Sequence, residues 1–232
     1  MSLKFYLEMA KPRKEDLAKK YYHGTSNKKA ADGILKEGVK VPKIAKLDPK
    51  YSMVPRKGKV YITPEIKYAI IYAINGDIAG SDYYTKKELN EDTRYGYVFE
   101  IDGKDLKDIE PDEDSIGEMI ANKNPKWLYE LFMDLDIFEE ELPDDIVQDM
   151  EDYNMSFHDL VMDGNYAAWA EAGKIVVNEL SDEEKLELIS LGAHIAHTGN
   201  IKISGAWKID KLKTKQLKRD GSNFFKIAEK IK

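Results

Sequence analysis

At 232 residues, 42% of them hydrophobic and 34% charged, the chain has the make-up of a soluble globular protein and is long enough for one well-cored domain with an insertion. The absence of cysteine excludes a disulfide framework and a thiolate metal site. No run of about 18 apolar residues exists to cross a membrane, and residues 1–20 lack a signal-peptide cleavage pattern, so a cytoplasmic location without membrane contact is expected. The net charge of −7 is unevenly placed: Glu110 to Asp163 hold eighteen Asp or Glu against two Lys, a net of −16, which leaves +9 on the remainder.

In chain order, residues 1–20 read as an N-terminal helix or arm, broken near Pro12, with Leu17 and Ala18 turned inward. Tyr21 and Tyr22 have strand preference and lead into His23-Gly24-Thr25. Asn27 to Gly38 then predicts a helix capped by Ser26 or Asn27, with Ala30, Ala31, Ile34 and Leu35 on one face. Gly24 lets backbone pass close to a ligand, while His23 and Thr25 present a ring nitrogen and a hydroxyl. Val39 to Lys59 is a long basic loop of the kind that is usually functional or mobile, and its lysines suit a pyrophosphate or an acidic substrate.

Val60 to Thr63 predicts a strand, with Thr63 as N-cap, Pro64 at the first helical position and Glu65 at the positive end of a helix that runs to about Asn75-Gly76. Tyr61 closes the strand and Tyr72 follows eleven residues later on the helix, a spacing that lets both phenols reach one cleft. After a polar stretch, Tyr95 to Ile101 alternates as a core strand ending in the Asp102-Gly103 turn.

The acidic region has helical apolar spacing over 115–121, 127–138 and 146–153, with Trp127, Leu128, Leu131, Phe132 and Leu135 as one stripe. An acidic helical insertion over 110–165 within a single domain of residues 1–232 is therefore expected, its acidic face open to a basic partner. Helical character continues through Asn165–Gly173, and Ser181-Asp182-Glu183-Glu184 starts a further helix to Ser190. Ala193–Thr198, Ile201–Ile203 and Ala206–Ile209 read as closing strands, and Lys208–Lys232 as a lysine-rich surface helix containing Phe224 and Phe225.

These segments resemble the ADP-ribosyltransferase fold in its poly(ADP-ribose) polymerase and diphtheria-toxin branch. That branch carries a His-Gly-Ser or His-Gly-Thr, then a strand tyrosine, then a helix tyrosine at this spacing, and the likeness covers about a third of the chain. It implies an α+β fold of split antiparallel β-sheets around an NAD cleft. His23 would bind the adenosine ribose of NAD, the Gly24 backbone the nicotinamide carboxamide with help from Thr25, and Tyr61 and Tyr72 would bracket the nicotinamide ring. The catalytic set would be His23, Tyr61 and, in place of the family's glutamate, His194. No acid lies between Gly192 and His197, and His197, Glu187 and Glu179 are the other groups at hand. The implied activity is transfer of ADP-ribose from NAD, as substrate and without a metal, to a protein or nucleic-acid acceptor in the manner of a phage or bacterial effector. A non-catalytic NAD or ADP-ribose binder and an acidic interaction protein stand beside it as alternatives.

Overall fold

The computed structural model describes Leu17, residues 19–41, Arg56, residues 58–74 and residues 89–232. The expected N-terminal helix, most of the basic loop and the polar stretch after Ile74 lie outside the described residues. In order come β1 (Lys20–Thr25), α1 (Lys28–Glu37), β2 (Lys59–Ile62), α2 (Ile66–Ile74), β3 (Tyr95–Asp102) and β4 (Ile109–Pro111). Six helices follow: α3 (Glu113–Ala121), α4 (Lys126–Met133), α5 (Asp144–Tyr153), α6 (Phe157–Asp163), α7 (Tyr166–Glu179) and α8 (Asp182–Ser190). β5 (Ile195–Thr198), β6 (Gly205–Asp210), α9 (Phe224–Ile227) and β7 (Glu229–Lys230) close the chain. The class is α+β with two antiparallel sheets, ordered β1-β3-β6-β7 and β2-β5-β4.

The chain divides into two compact units. A helical unit comprises Met1–Leu17, Lys43–Lys59 and Glu110–Ala196, and a sheet unit comprises Ala18–Pro42, Val60–Ile109 and His197–Lys232. The acidic insertion expected over 110–165 falls inside the helical unit, which continues past it to Ala196.

In the sheet unit, α1 is capped by Asn27, whose side chain accepts from the Ala30 N–H, and buries Ala31 and Ile34. The helix α2 lies on one face of the larger sheet. The register sets Gly24 opposite Val98 and Val98 opposite Trp207, so these three form a row on one face, with Gly96 two residues from Val98 on the same side. Ala69 and Ala73, one helical turn apart, sit directly on this surface. A Cβ on Gly24 would fall on the Ala69 carbonyl oxygen, and one on Gly96 on the Ala73 carbonyl oxygen. Glycine on the sheet and alanine on the helix let α2 approach to backbone contact, and Ile70, Ile74, Val98, Trp207, Ile209 and Phe224 fill in around it.

The C-terminal segment corrects the expectation of a surface helix. Only Phe224–Ile227 is α-helical, Phe224 is fully buried, and Glu229–Lys230 adds a strand to β6. The segment stops being helical because burying Phe224 and pairing β7 satisfy more apolar area and backbone than a lone amphipathic helix of this length would. Of the expected Ile201–Ile203 strand only a bridge from Ile201 to Val39 forms.

In the helical unit, Leu128 and Phe132 of the predicted stripe are fully buried, and Trp127, Leu131 and Leu135 pack against the same core. The helices α3 and α7 meet at backbone distance. A Cβ on Gly117 would strike the Trp169 carbonyl, and one on Gly173 the Glu113 carbonyl. Capping boxes start α6 at Ser156 with Asp159 and α8 at Ser181 with Glu184. The second was legible in the sequence.

Candidate functional site

The site expected from the sequence centres on the edge of β1 that faces away from β3; among the described residues β1 is an outer strand of its sheet. On that edge the Tyr22 N–H donates to the Thr63 carbonyl at 2.8 Å, and the Thr63 N–H donates back to the Tyr22 carbonyl at 3.0 Å. In an antiparallel ladder alternate residues turn their backbone groups to the same edge. Gly24 therefore presents its own N–H and C=O on the outer edge, two residues beyond the Thr63 bridge. One donor and one acceptor side by side match a primary carboxamide.

Gly24 itself needs a different explanation from the ligand approach expected of it. The space where its Cβ would stand is taken by α2, so the residue is set by helix packing, and the exposure of its backbone edge follows from strand phase.

His23 and Thr25 project from the face of β1 opposite α2. The His23 Nδ1 lies 3.0 Å from the Tyr61 carbonyl oxygen. A carbonyl only accepts, so Nδ1 carries the proton and Nε2 is left as an acceptor. Burial lowers the imidazole pKa below its ordinary value, against an opposing pull from the Tyr61 carbonyl, so the ring is neutral at physiological pH. Among the described residues Nε2 meets no hydrogen-bond donor. A neutral acceptor in that position suits a hydroxyl group. The Thr25 hydroxyl accepts from the Asn27 N–H at 3.2 Å, which leaves its own O–H to donate elsewhere.

Tyr61 stands between the buried Val60 and Ile62 and is itself half-buried. Thr63 does not cap α2 directly: its hydroxyl accepts from the Glu65 N–H at 3.0 Å, closing a turn at Pro64-Glu65, and the helix begins at Ile66. Since Ala69, Ile70, Ala73 and Ile74 point inward, Tyr72 falls on the outer face and is 65% exposed. The structure thus brings His23 to Tyr61 through a direct hydrogen bond and leaves Tyr72 on the solvent side of the helix.

His194 belongs to the helical unit, immediately before β5 rather than within it. Its N–H donates to the Ser115 hydroxyl at 3.0 Å, and its carbonyl accepts from the Asp112 N–H at 2.8 Å, which fixes its backbone to the start of α3. Of the alternatives, Glu187 accepts from the Trp127 indole N–H at 3.0 Å, Glu179 ends α7, and the buried His197 lies within hydrogen-bonding reach of the Gly199 carbonyl.

A charged cluster in the helical unit was not anticipated. Arg56, from the basic loop, donates to Glu110 at 2.9 Å and to Glu113 at 3.1 Å, and Lys59 donates to Glu110 at 2.6 Å. Burial works to raise the Glu110 carboxyl, but Lys59 and Arg56 outweigh it and hold the group below the usual carboxylate range. Asp112, only 8% exposed, has an Oδ1 with no hydrogen-bond partner among the described residues, and burial with help from Asp114 and Glu113 raises its pKa well above the ordinary value. The sequence signal was present in the run Glu110-Pro111-Asp112-Glu113-Asp114, but side-chain pairing with Arg56 is a tertiary fact. No family model matches the chain, and neither the curated proteins nor the solved structures hold a match to it.

Proposed function

We infer that the protein binds NAD at the outer edge of β1 and transfers its ADP-ribose to a macromolecular acceptor, protein or nucleic acid. The carrying observation is the pairing of two orientations on consecutive residues. Gly24 offers a backbone donor and acceptor suited to the nicotinamide carboxamide, while neutral His23, held by the Tyr61 carbonyl at 3.0 Å, offers Nε2 to a ribose hydroxyl. Thr25 adds a hydroxyl on the His23 face. The resemblance assigns the aromatic faces on the nicotinamide ring to Tyr61, whose carbonyl holds His23, and to Tyr72, whose ring is exposed on α2.

In the reaction the bond from the ribose C1′ to the nicotinamide nitrogen breaks, and its electron pair leaves with neutral nicotinamide. An acceptor oxygen or nitrogen bonds to C1′ and gives its proton to water. A positive charge develops on the ribose, and the residue that the resemblance assigns to answer it, His194, carries no carboxylate. This favours a second reading, NAD binding without turnover, over fast catalysis. Release of radiolabelled nicotinamide decides between them: the account predicts slow or no release from the wild type and faster release from His194→Glu. Fast wild-type release abolished by Glu187→Gln or Glu179→Gln would show that the acid comes from upstream.

A further inference from the structure

Lys211 to Lys232 carry eight Lys or Arg against Asp220 and Glu229, a local charge of +6 in a protein whose total is −7. The segment is folded onto the sheet unit. A Cβ on Gly221 would meet the Ile70 side chain, Phe224 is buried with Trp207 and Val98, and β7 sets Lys230 opposite Trp207. Lys211 is buried, and the other seven cations are exposed on the folded segment.

Within that surface one large ring is left open. Phe225 is 45% exposed, although Trp207 at 4.8 Å, Phe224 at 5.4 Å and Tyr22 at 6.4 Å pack around it with their rings inclined to its plane by 64°, 76° and 48°. Three neighbouring rings fix its orientation, so a planar partner would find the face already in place. Lys226 follows it in sequence, and the Lys230 ammonium stands 5.8 Å from the Trp207 ring centroid. Glu229, the nearest acid in sequence, is engaged by Lys208 at 2.9 Å, and among the described residues neither Lys226 nor Lys230 forms a salt bridge.

We propose that this basic, aromatic ledge binds a single-stranded nucleic acid, which is the acceptor of the ADP-ribose. The acceptor role rests on the transferase reading above, and the binding does not. Lysines along the ledge meet backbone phosphates, and an unpaired base stacks on Phe225, a contact that a paired base within a duplex cannot make. In the transfer, a nucleophilic atom of the strand displaces nicotinamide at C1′ and loses its proton to water.

The test is fluorescence anisotropy of the intact protein with a labelled oligothymidylate of about 20 nucleotides, longer than the roughly 4–16 that one stacking groove covers. Phe225→Ala and Phe225→Leu should each weaken binding about tenfold, because leucine restores apolar bulk but no π-face. Replacing Lys226, Lys230 and Lys232 together by Gln should flatten the salt dependence, lowering the slope of log K against log salt by about 2. No binding at low salt, or wild-type affinity in Phe225→Leu, would overturn the ledge. Displacement of the strand by polyglutamate at equal charge concentration would also overturn it, in favour of an acidic protein partner. Calorimetry with NAD on the same preparation separates the two ideas. NAD bound without the strand overturns the nucleic-acid proposal alone, and the strand bound without NAD overturns the acceptor role.

Discussion

At Gly24 the carbonyl of Ala69 occupies the volume any side chain would need, and it belongs to a helix backbone that cannot rotate aside. Gly24→Ala is therefore expected to destabilise the protein by about 1–3 kcal/mol or more, the usual cost of overpacking, seen as a fall of roughly 2–12 °C in Tm for a chain of this size. An unchanged Tm would mean that α2 does not rest on the strand. Asp112 gives a prediction of opposite sign. Burial raises its carboxyl pKa in the folded state, with Asp114 and Glu113 adding to the effect and Arg56 opposing it. Between the ordinary carboxylate value and this raised value the folded chain holds a proton that the unfolded chain has lost, so stability falls as pH rises through the window. Asp112→Asn should match the wild type below the ordinary carboxylate range and become more stable than it toward neutral pH. Parallel Tm profiles across that range would contradict the assignment. Neither effect is legible in the sequence, which shows a glycine after a histidine and an aspartate in an acidic run but not the carbonyl or the burial that gives each its weight.

Elements fixed by short-range chemistry were readable. Asn27 caps α1 and the Ser181–Glu184 box starts α8, because both signals depend on residues three apart. The α4 stripe was readable as well, since helical period alone determines which residues share a face. The C-terminal segment was not, because Phe224 takes its place from Ala69, Val98 and Trp207, all distant in sequence. Likewise the start of α2 slipped to Ile66 when Thr63 closed a turn with Glu65 rather than the first helical turn. The outward position of Tyr72 on α2 yields a test. If its exposed ring stacks on nicotinamide, Tyr72→Phe should retain NAD affinity while Tyr72→Ala loses it, as stacking uses the ring face. Equal losses from both changes, measured by calorimetry, would assign the role to the hydroxyl.

Across the whole chain, charge and core are partitioned together: the acidic run lies in a helical unit whose core includes Ile116, Leu128, Phe132, Leu160, Val176 and Leu188. Because that core extends through α7 and α8, excising only Asp112 to Asp163 would strip Ala168, Ala172, Val176 and Leu188 of their partners. The better boundaries are Asp112 and His194, which are joined by a backbone hydrogen bond of 2.8 Å. Replacing Glu113–Ala193 with a short Gly-Ser linker should give a protein that still binds NAD, whereas the shorter excision should bind hydrophobic dyes and aggregate. The reverse pattern would misplace the helical core. The central claim is that the His23-Gly24 edge is an NAD site, and calorimetric titration of NAD into the wild type and His23→Ala tests it most directly. The account predicts saturable binding that His23→Ala weakens by about 1–3 kcal/mol, the cost of a lost polar partner. Absence of binding to the wild type, or equal affinity in the two proteins, would contradict it.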